Sequence, residues 1–149
     1  VCSSDLFLRE VREAMLRKKP GAEMHVRVCK PYPLMGCDPG TWAREGIADA
    51  IIIENRAEPK APDIAGLVAA CRDTACAPGA AFQRTNWGGE SMPLHPYRIE
   101  IEVEKYLSAG ARSISFYGSA DVIKHPELSR AVRRINHPEE LPSRIFSCI

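Results

Sequence analysis

Polar side chains follow several short apolar runs of this chain, and they are the residues that can do chemistry. The clearest case is Glu54, which ends the run Ala50-Ile-Ile-Ile-Glu54. Because an unpaired charge is costly to bury, this carboxylate must be paired or face solvent. The candidate site residues are Glu54 as the catalytic group and Arg27, Arg56, Gln83, Asn86, Trp87 and Tyr117 as substrate-binding groups.

Glu54 has two interpretations at this level. A carboxylate at the end of a strand can act as a general acid, a general base or a nucleophile. It can equally form a structural ion pair, with Arg27 or Arg56 as the partner. His25 is interpreted as an interior histidine with satisfied hydrogen bonds rather than as a general base, unless Glu54 or Tyr117 lies within hydrogen-bond reach.

Trp87 precedes two glycines in a predicted loop. An indole in such a loop can be a flat platform for a sugar or a base, or it can be a local packing anchor. The cysteines form no Cys-x-x-Cys pair and no Cys/His set at zinc spacing. No metal and no cofactor is therefore predicted.

The elements that position these residues follow a repeated helix, glycine and strand pattern. Gly46 stands between an amphipathic segment and the apolar run that ends at Glu54, and Gly110 stands in the same place before Tyr117. Glycine suits the residue after a helix because it adopts the left-handed conformation that ends the last turn. The repeat predicts a parallel α/β protein, since parallel strands need helical crossovers.

Periodicity places a first helix that ends near Lys18, and a helix carrying Trp42 with Asp38 or Thr41 as its cap. A turn is predicted at Pro78-Gly79. Alternation along the last two strands turns Gln83, Ser115 and Tyr117 away from the covering helices. Along the first strand it sets His25, Arg27 and Cys29 on one face. The predicted strands are 24–29, 50–54, 80–85 and 113–117, and the later helices are 63–74, 97–109 and 121–135.

Four consecutive βα units preceded by a helix fit half of a (β/α)8 barrel, the TIM barrel, in which catalytic residues lie at the C-terminal ends of the strands. A complete doubly wound domain is the structural alternative. No Gly-x-Gly-x-x-Gly follows any predicted strand, so the dinucleotide-binding fingerprint is absent.

Composition narrows the function classes. The 149 residues carry a net charge of +1 without a long basic run, so no nucleic-acid partner is expected. No segment is apolar over the roughly 20 residues of a membrane helix, so no membrane partner is expected, and the compartment is left open.

Residues 1–6 match a translated sequencing adapter. We predict that they are a scar that packs on nothing, and that residues 7–149 are the C-terminal half of a longer domain.

Three segments carry a family resemblance: Trp42-Ala-Arg-Glu-Gly-Ile-Ala-Asp49, Val26-Arg-Val28 and Ala109-Gly-Ala111. Together they resemble the C-terminal half of glycoside-hydrolase-like barrel proteins, a poorly characterised bacterial group, over residues 7–119. The resemblance implies a small-molecule or oligosaccharide substrate, bound or hydrolysed.

Hydrolysis of a glycosidic bond needs two carboxyl groups. The seventh strand of related barrels often supplies an acid, and this chain has Gln83 and Arg84 there. The second acid is therefore Glu90 or a residue of the missing N-terminal half, which is the expected partner.

Two alternatives stay open. Gly88-Gly89 and Gly118-Ser119 stand where many such barrels bind phosphate, which would make this a phosphate- or flavin-binding enzyme. Glu90 beside the first pair opposes an anion. The other alternative is a non-catalytic sugar-binding barrel, which differs from the hydrolase only in whether Glu54 has an acid partner.

Overall fold

The computed structural model describes residues 3–29, 36–54, 64–83, 96–117, 126–127 and 129–130. The helices are α1 (Ser3–Lys18), α2 (Pro39–Arg44), α3 (Ala65–Cys71) and α4 (Pro96–Ser108). The strands are β1 (His25–Cys29), β2 (Ala50–Glu54), β3 (Ala77–Gln83) and β4 (Ser113–Tyr117). All strand pairs are parallel, in the order β1-β2-β3-β4. The predicted alternation of strands and helices is thus confirmed. Most of the predicted last helix, 121–135, lies outside the described residues. Of this range the structure describes 126–127 and 129–130, which are helical.

The two glycines of the repeat have the predicted conformation. Gly46 has φ 65° and Gly110 has φ 99°, in the left-handed region where a side chain is strained. The Gly46 amide donates to the carbonyl of Ala43 and the Gly110 amide to that of Leu107, which closes the last turn of the preceding helix in both units. Each glycine therefore ends a helix and directs the chain into the next strand.

Asp38 caps α2. Its carboxylate accepts from the Thr41 amide at 3.0 Å and from the Thr41 hydroxyl at 2.7 Å. These bonds, the backbone one above all, lower the pKa of Asp38 because they stabilise its charged form. Of the two predicted caps, the structure thus assigns Asp38. The cap fixes the start of the helix that buries Trp42.

The predicted turn at Pro78-Gly79 is wrong, because both residues lie inside β3. Pro78 pairs with Ile51 of β2, and its carbonyl accepts from the Arg112 amide. A Cβ on Gly79 would lie 2.9 Å from the Ser113 carbonyl oxygen and 3.1 Å from Ile52 Cγ1. Glycine is present here because β4 and an Ile52 side chain approach the backbone closely, a use of strand glycine that resembles a turn signal in sequence.

The two faces of the sheet differ. One face packs against the helices in two clusters of buried side chains. Ile114 of β4 belongs to this face, as strand alternation predicts, so Ser115 belongs to the other. The larger cluster comprises Val28, Trp42, Ala43, Ile47, Ala48, Ile51, Ile53, Leu67, Cys71 and Cys76, and the smaller one Ile64, Ala80, Tyr106 and Ala111. The candidate residues Arg27 and Glu54 lie on the opposite face.

The prediction that residues 1–6 pack on nothing is wrong. α1 begins at Ser3, and the buried Asp5 carboxylate accepts from the Trp42 indole Nε1 at 2.6 Å. The Ser4 hydroxyl donates to the Gly36 carbonyl at 2.7 Å, while Leu6 stays exposed. The physical reason is the helix itself, because a continuous α1 carries Asp5 onto the buried indole. The origin of this segment stays a prediction.

One ion pair fastens α1 to the sheet. Both terminal nitrogens of Arg12 donate to Asp49, at 2.6 and 3.0 Å, and the Met24 amide donates to the same carboxylate at 2.7 Å. The Arg12 guanidinium is the main cause of a pKa of Asp49 below its ordinary 3.8, and it outweighs the opposing effect of burial. Asp49 thereby joins α1 to the starts of β1 and β2.

We expect this pair to make stability depend on pH. Since folding lowers the pKa of Asp49, its contribution is complete above the unfolded value near 4 and is lost as pH falls through the folded value. Asp49→Asn should cost about 1 kcal/mol at pH 7, because both side chains are partly exposed, and the difference from wild type should shrink below pH 4. Urea unfolding of both proteins at pH 7, 5 and 3 measures this difference. A difference that stays constant over that range would contradict the linkage.

Candidate functional site

The candidate site lies at the C-terminal ends of the strands, on the face opposite the two clusters that pack against the described helices. Cys29 of β1 pairs in register with Glu54 of β2. Ile53 pairs with Ala80, so Glu54 lies beside Ala81, and Ala81 pairs with Ser115 of β4. In-register residues of parallel strands share a face. The sheet thus brings a thiol, a carboxylate and a hydroxyl into one row.

Glu54 is held from two sides. Its side chain is 0 % exposed although it ends a strand. The Cys29 thiol donates to Oε1 at 2.8 Å, and a terminal nitrogen of Arg27 lies 3.7 Å from Oε2. A buried carboxylate needs ion-pair and hydrogen-bond partners, because an unpaired buried charge is costly. Of the two partners predicted for Glu54, the structure therefore brings Arg27 to it.

Arg27 also joins the two ends of the described sheet. Its other terminal nitrogen donates to the Ser115 hydroxyl of β4 at 3.2 Å. In a flat sheet three strand spacings would separate β1 from β4 by about 14 Å, which is longer than an extended arginine side chain. The contact therefore requires the sheet to curl around Arg27. The face that carries Glu54 is concave.

The other predicted residues are placed less fully. Gln83 and Tyr117 are register partners at the same C-terminal end of the sheet. Their side chains are not among those that the structure describes. Arg56, Asn86 and Trp87 lie outside the described residues, as do Glu90, Gly88-Gly89 and Gly118-Ser119. Their predicted roles stay predictions.

The prediction that His25 is an interior histidine is wrong. Its side chain is 52 % exposed, and its Nε2 lies 3.0 Å from the Glu23 carboxylate. His25 is the first residue of β1, at the N-terminal end of the strand and far along it from Cys29. Glu54 lies opposite Cys29 in the register, so His25 is remote from the candidate site.

Alternation along the strands predicts that Cys29 shares a face with Arg27 and that Ser115 points away from the covering helices, and the structure agrees. The sequence did not identify Cys29 as a partner of Glu54 or Ser115 as a partner of Arg27. The Ser115 contact had no local signal, since 88 residues separate it from Arg27.

The arrangement can stabilise positive charge near Glu54, because the carboxylate is fixed in a water-poor place. Within the described ranges no group of three His, Cys, Asp or Glu side chains could hold a metal ion. None of the described helices is long and apolar enough to cross a membrane.

The fold and site together define a parallel α/β protein with a charged, concave face at the strand ends. No protein-family model matches the chain, and no curated protein shows significant similarity to it.

Proposed function

We propose that this chain belongs to a carbohydrate-active (β/α)8 barrel, a glycoside hydrolase in which Glu54 is one of the two acid/base carboxylates. The observation that carries the proposal is the position of Glu54: a carboxylate at the C-terminal end of a central strand, paired with Arg27 on a concave face. In (β/α)8 enzymes that end of the strands is the catalytic one. The resemblance to glycoside-hydrolase-like barrels supplies the substrate class.

The strand order supports the barrel. A doubly wound sheet reverses its strand order at a switch point, whereas β1-β2-β3-β4 runs in sequence without reversal. The contact from Arg27 to Ser115 indicates a curled sheet, and a sheet must curl in this way to close into a barrel. α1 exposes Leu6, Phe7 and Val11, and an adjacent helix of a larger barrel would cover these side chains.

The second carboxyl group is assigned to Glu90 or to an N-terminal half of the same barrel. Among the described side chains, Glu54 is the acid that ends a strand on the concave face. A glycosidase places its two carboxyl groups about 5 to 10 Å apart on either side of the bond. Glu90 or the N-terminal half would therefore complete the site.

Complete burial of Glu54 favours a second candidate function. A carboxylate with no exposed surface, held by Arg27 and Cys29, fits a structural role in a non-catalytic sugar-binding barrel. Sugar would then be bound by other groups of the concave face. The two candidates share the ligand class and differ in turnover.

The test of the ligand class is a competition experiment with the longest natural form of the protein. Oligosaccharides and aryl glycosides are screened by calorimetry and by release of the leaving group, with and without inorganic phosphate. We expect saturable sugar binding that phosphate does not displace, because Glu54 contributes negative charge to the site. Binding of phosphate in place of sugar would favour the phosphate- or flavin-binding alternative and overturn the proposal.

A further inference from the structure

The Cys29 thiol lies beside the Glu54 carboxylate, whose orientation and charge the proposed function uses. Cys29 is half-buried at the last position of β1, and Glu54 is at the last position of β2. The parallel register sets the two residues side by side, so their side chains leave the sheet on the same face.

The contact has a direction. The thiol donates and the carboxylate Oε1 accepts at 2.8 Å, while Arg27 lies nearer to Oε2. A thiol is ordinarily a weak donor, but a bond to an ionised acceptor is charge-assisted and stronger than one between neutral groups. Each carboxylate oxygen thus has its own partner, and rotation about the last bond of Glu54 would break both interactions.

We propose that Cys29 is a positioning residue for Glu54. Its S–H fixes the rotation of the carboxylate, with Oε1 held at Cys29 and Oε2 toward Arg27. The consequence for turnover rests on the proposed function, whereas the hydrogen bond itself does not.

A spectroscopic experiment tests the bond without any substrate. The S–H stretching vibration absorbs in a region of the infrared spectrum that is clear of other protein bands, and hydrogen bonding to a carboxylate lowers its frequency. We expect a low-frequency thiol band in the wild type that Cys29→Ser removes, distinct from the band of the Cys71 and Cys76 thiols, which hydrogen-bond to each other. Glu54→Gln should move this band to higher frequency, because an amide oxygen is a weaker acceptor than a carboxylate.

The control is Cys37→Ala, which removes a half-buried thiol that packs against the helix-covered core cluster. This variant should leave the low-frequency band in place. A wild-type spectrum without such a band, or a band that Glu54→Gln does not move, would overturn the inference whether or not the protein turns over a glycoside.

Turnover provides the second readout. Cys29→Ala should lower kcat about tenfold with little change in KM, because a carboxylate that has lost the Cys29 donor samples unproductive rotations. Cys29→Ser retains a donor of similar size and should restore most of kcat. If alanine and serine reduce kcat equally at unchanged unfolding midpoints, the positioning role is wrong. If the wild type turns over no glycoside, the proposed function fails, and the infrared bands still decide the inference.

Discussion

Replacing Glu54 with glutamine is expected to reduce turnover of a glycoside by about a hundredfold or more while the fold survives. Glutamine retains the size of the side chain and an oxygen that can accept from Cys29, but it removes the charge beside Arg27. If Glu54 acts in the transition state, kcat falls and the specific activity of folded protein falls with it. Specific activity and the urea unfolding midpoint, measured on one preparation, give this result.

The structural alternative predicts the opposite pattern. If Glu54 only anchors Arg27, the same substitution costs stability and preserves the activity of each folded molecule. The loss would be about 1–3 kcal/mol, less than for a fully buried pair, because the Arg27 side chain is 35 % exposed and water solvates part of it. Unchanged turnover with a lowered midpoint would assign Glu54 to the scaffold and favour the non-catalytic sugar-binding barrel.

Glu13→Gln is the matched control. Glu13 lies on α1 with 71 % of its side chain exposed, and its contact with Arg17 is a surface pair of the i, i+4 type. Such pairs contribute about 0.3–0.5 kcal/mol. Glu13→Gln therefore makes the same chemical change, and we expect little effect on turnover or stability. A larger effect of Glu54→Gln is then due to the position of Glu54 in the site.

Local rules predicted the elements whose signals are local. The bounds of β2 and β4 agree with the sequence prediction because apolar runs and alternation are properties of a few neighbouring residues. Gly46 and Gly110 were identified because a helix end needs a left-handed residue. The start of β3 was missed for a non-local reason, because the approach of Ser113 and Ile52, from two other strands, explains Gly79.

The candidate site likewise contains one contact that local sequence signals predicted and others that they could not. The pair of Glu54 and Arg27 was among the predicted partners because a charge at the end of an apolar run requires one. The hydrogen bond from Arg27 to Ser115 depends on how far the sheet curls, which no single segment encodes. The burial of Asp5 likewise follows from the docking of α1 on α2 rather than from the residues around Asp5.

Trp42→Ala is expected to give the largest loss of stability among the described core residues, about 3–5 kcal/mol. The indole is 2 % exposed in the cluster between the sheet and α2, so truncation leaves a cavity that the capped helix cannot fill by moving. Urea unfolding followed by circular dichroism measures the loss. A cost below about 1 kcal/mol would mean that α2 repacks freely against the sheet.

Trp42→Phe isolates the polar half of this contact. Phenylalanine retains most of the apolar volume but removes the N–H that donates to the buried Asp5 carboxylate. A double-mutant cycle with Asp5→Ala should give a coupling of about 1.5–3 kcal/mol, the range for a hydrogen bond to a charged group. Additive losses would mean that Asp5 contributes nothing through Trp42, and the beginning of α1 would then be dispensable to this fold. Substantial coupling would instead make residues 3–6 part of the domain, whatever the origin of their codons.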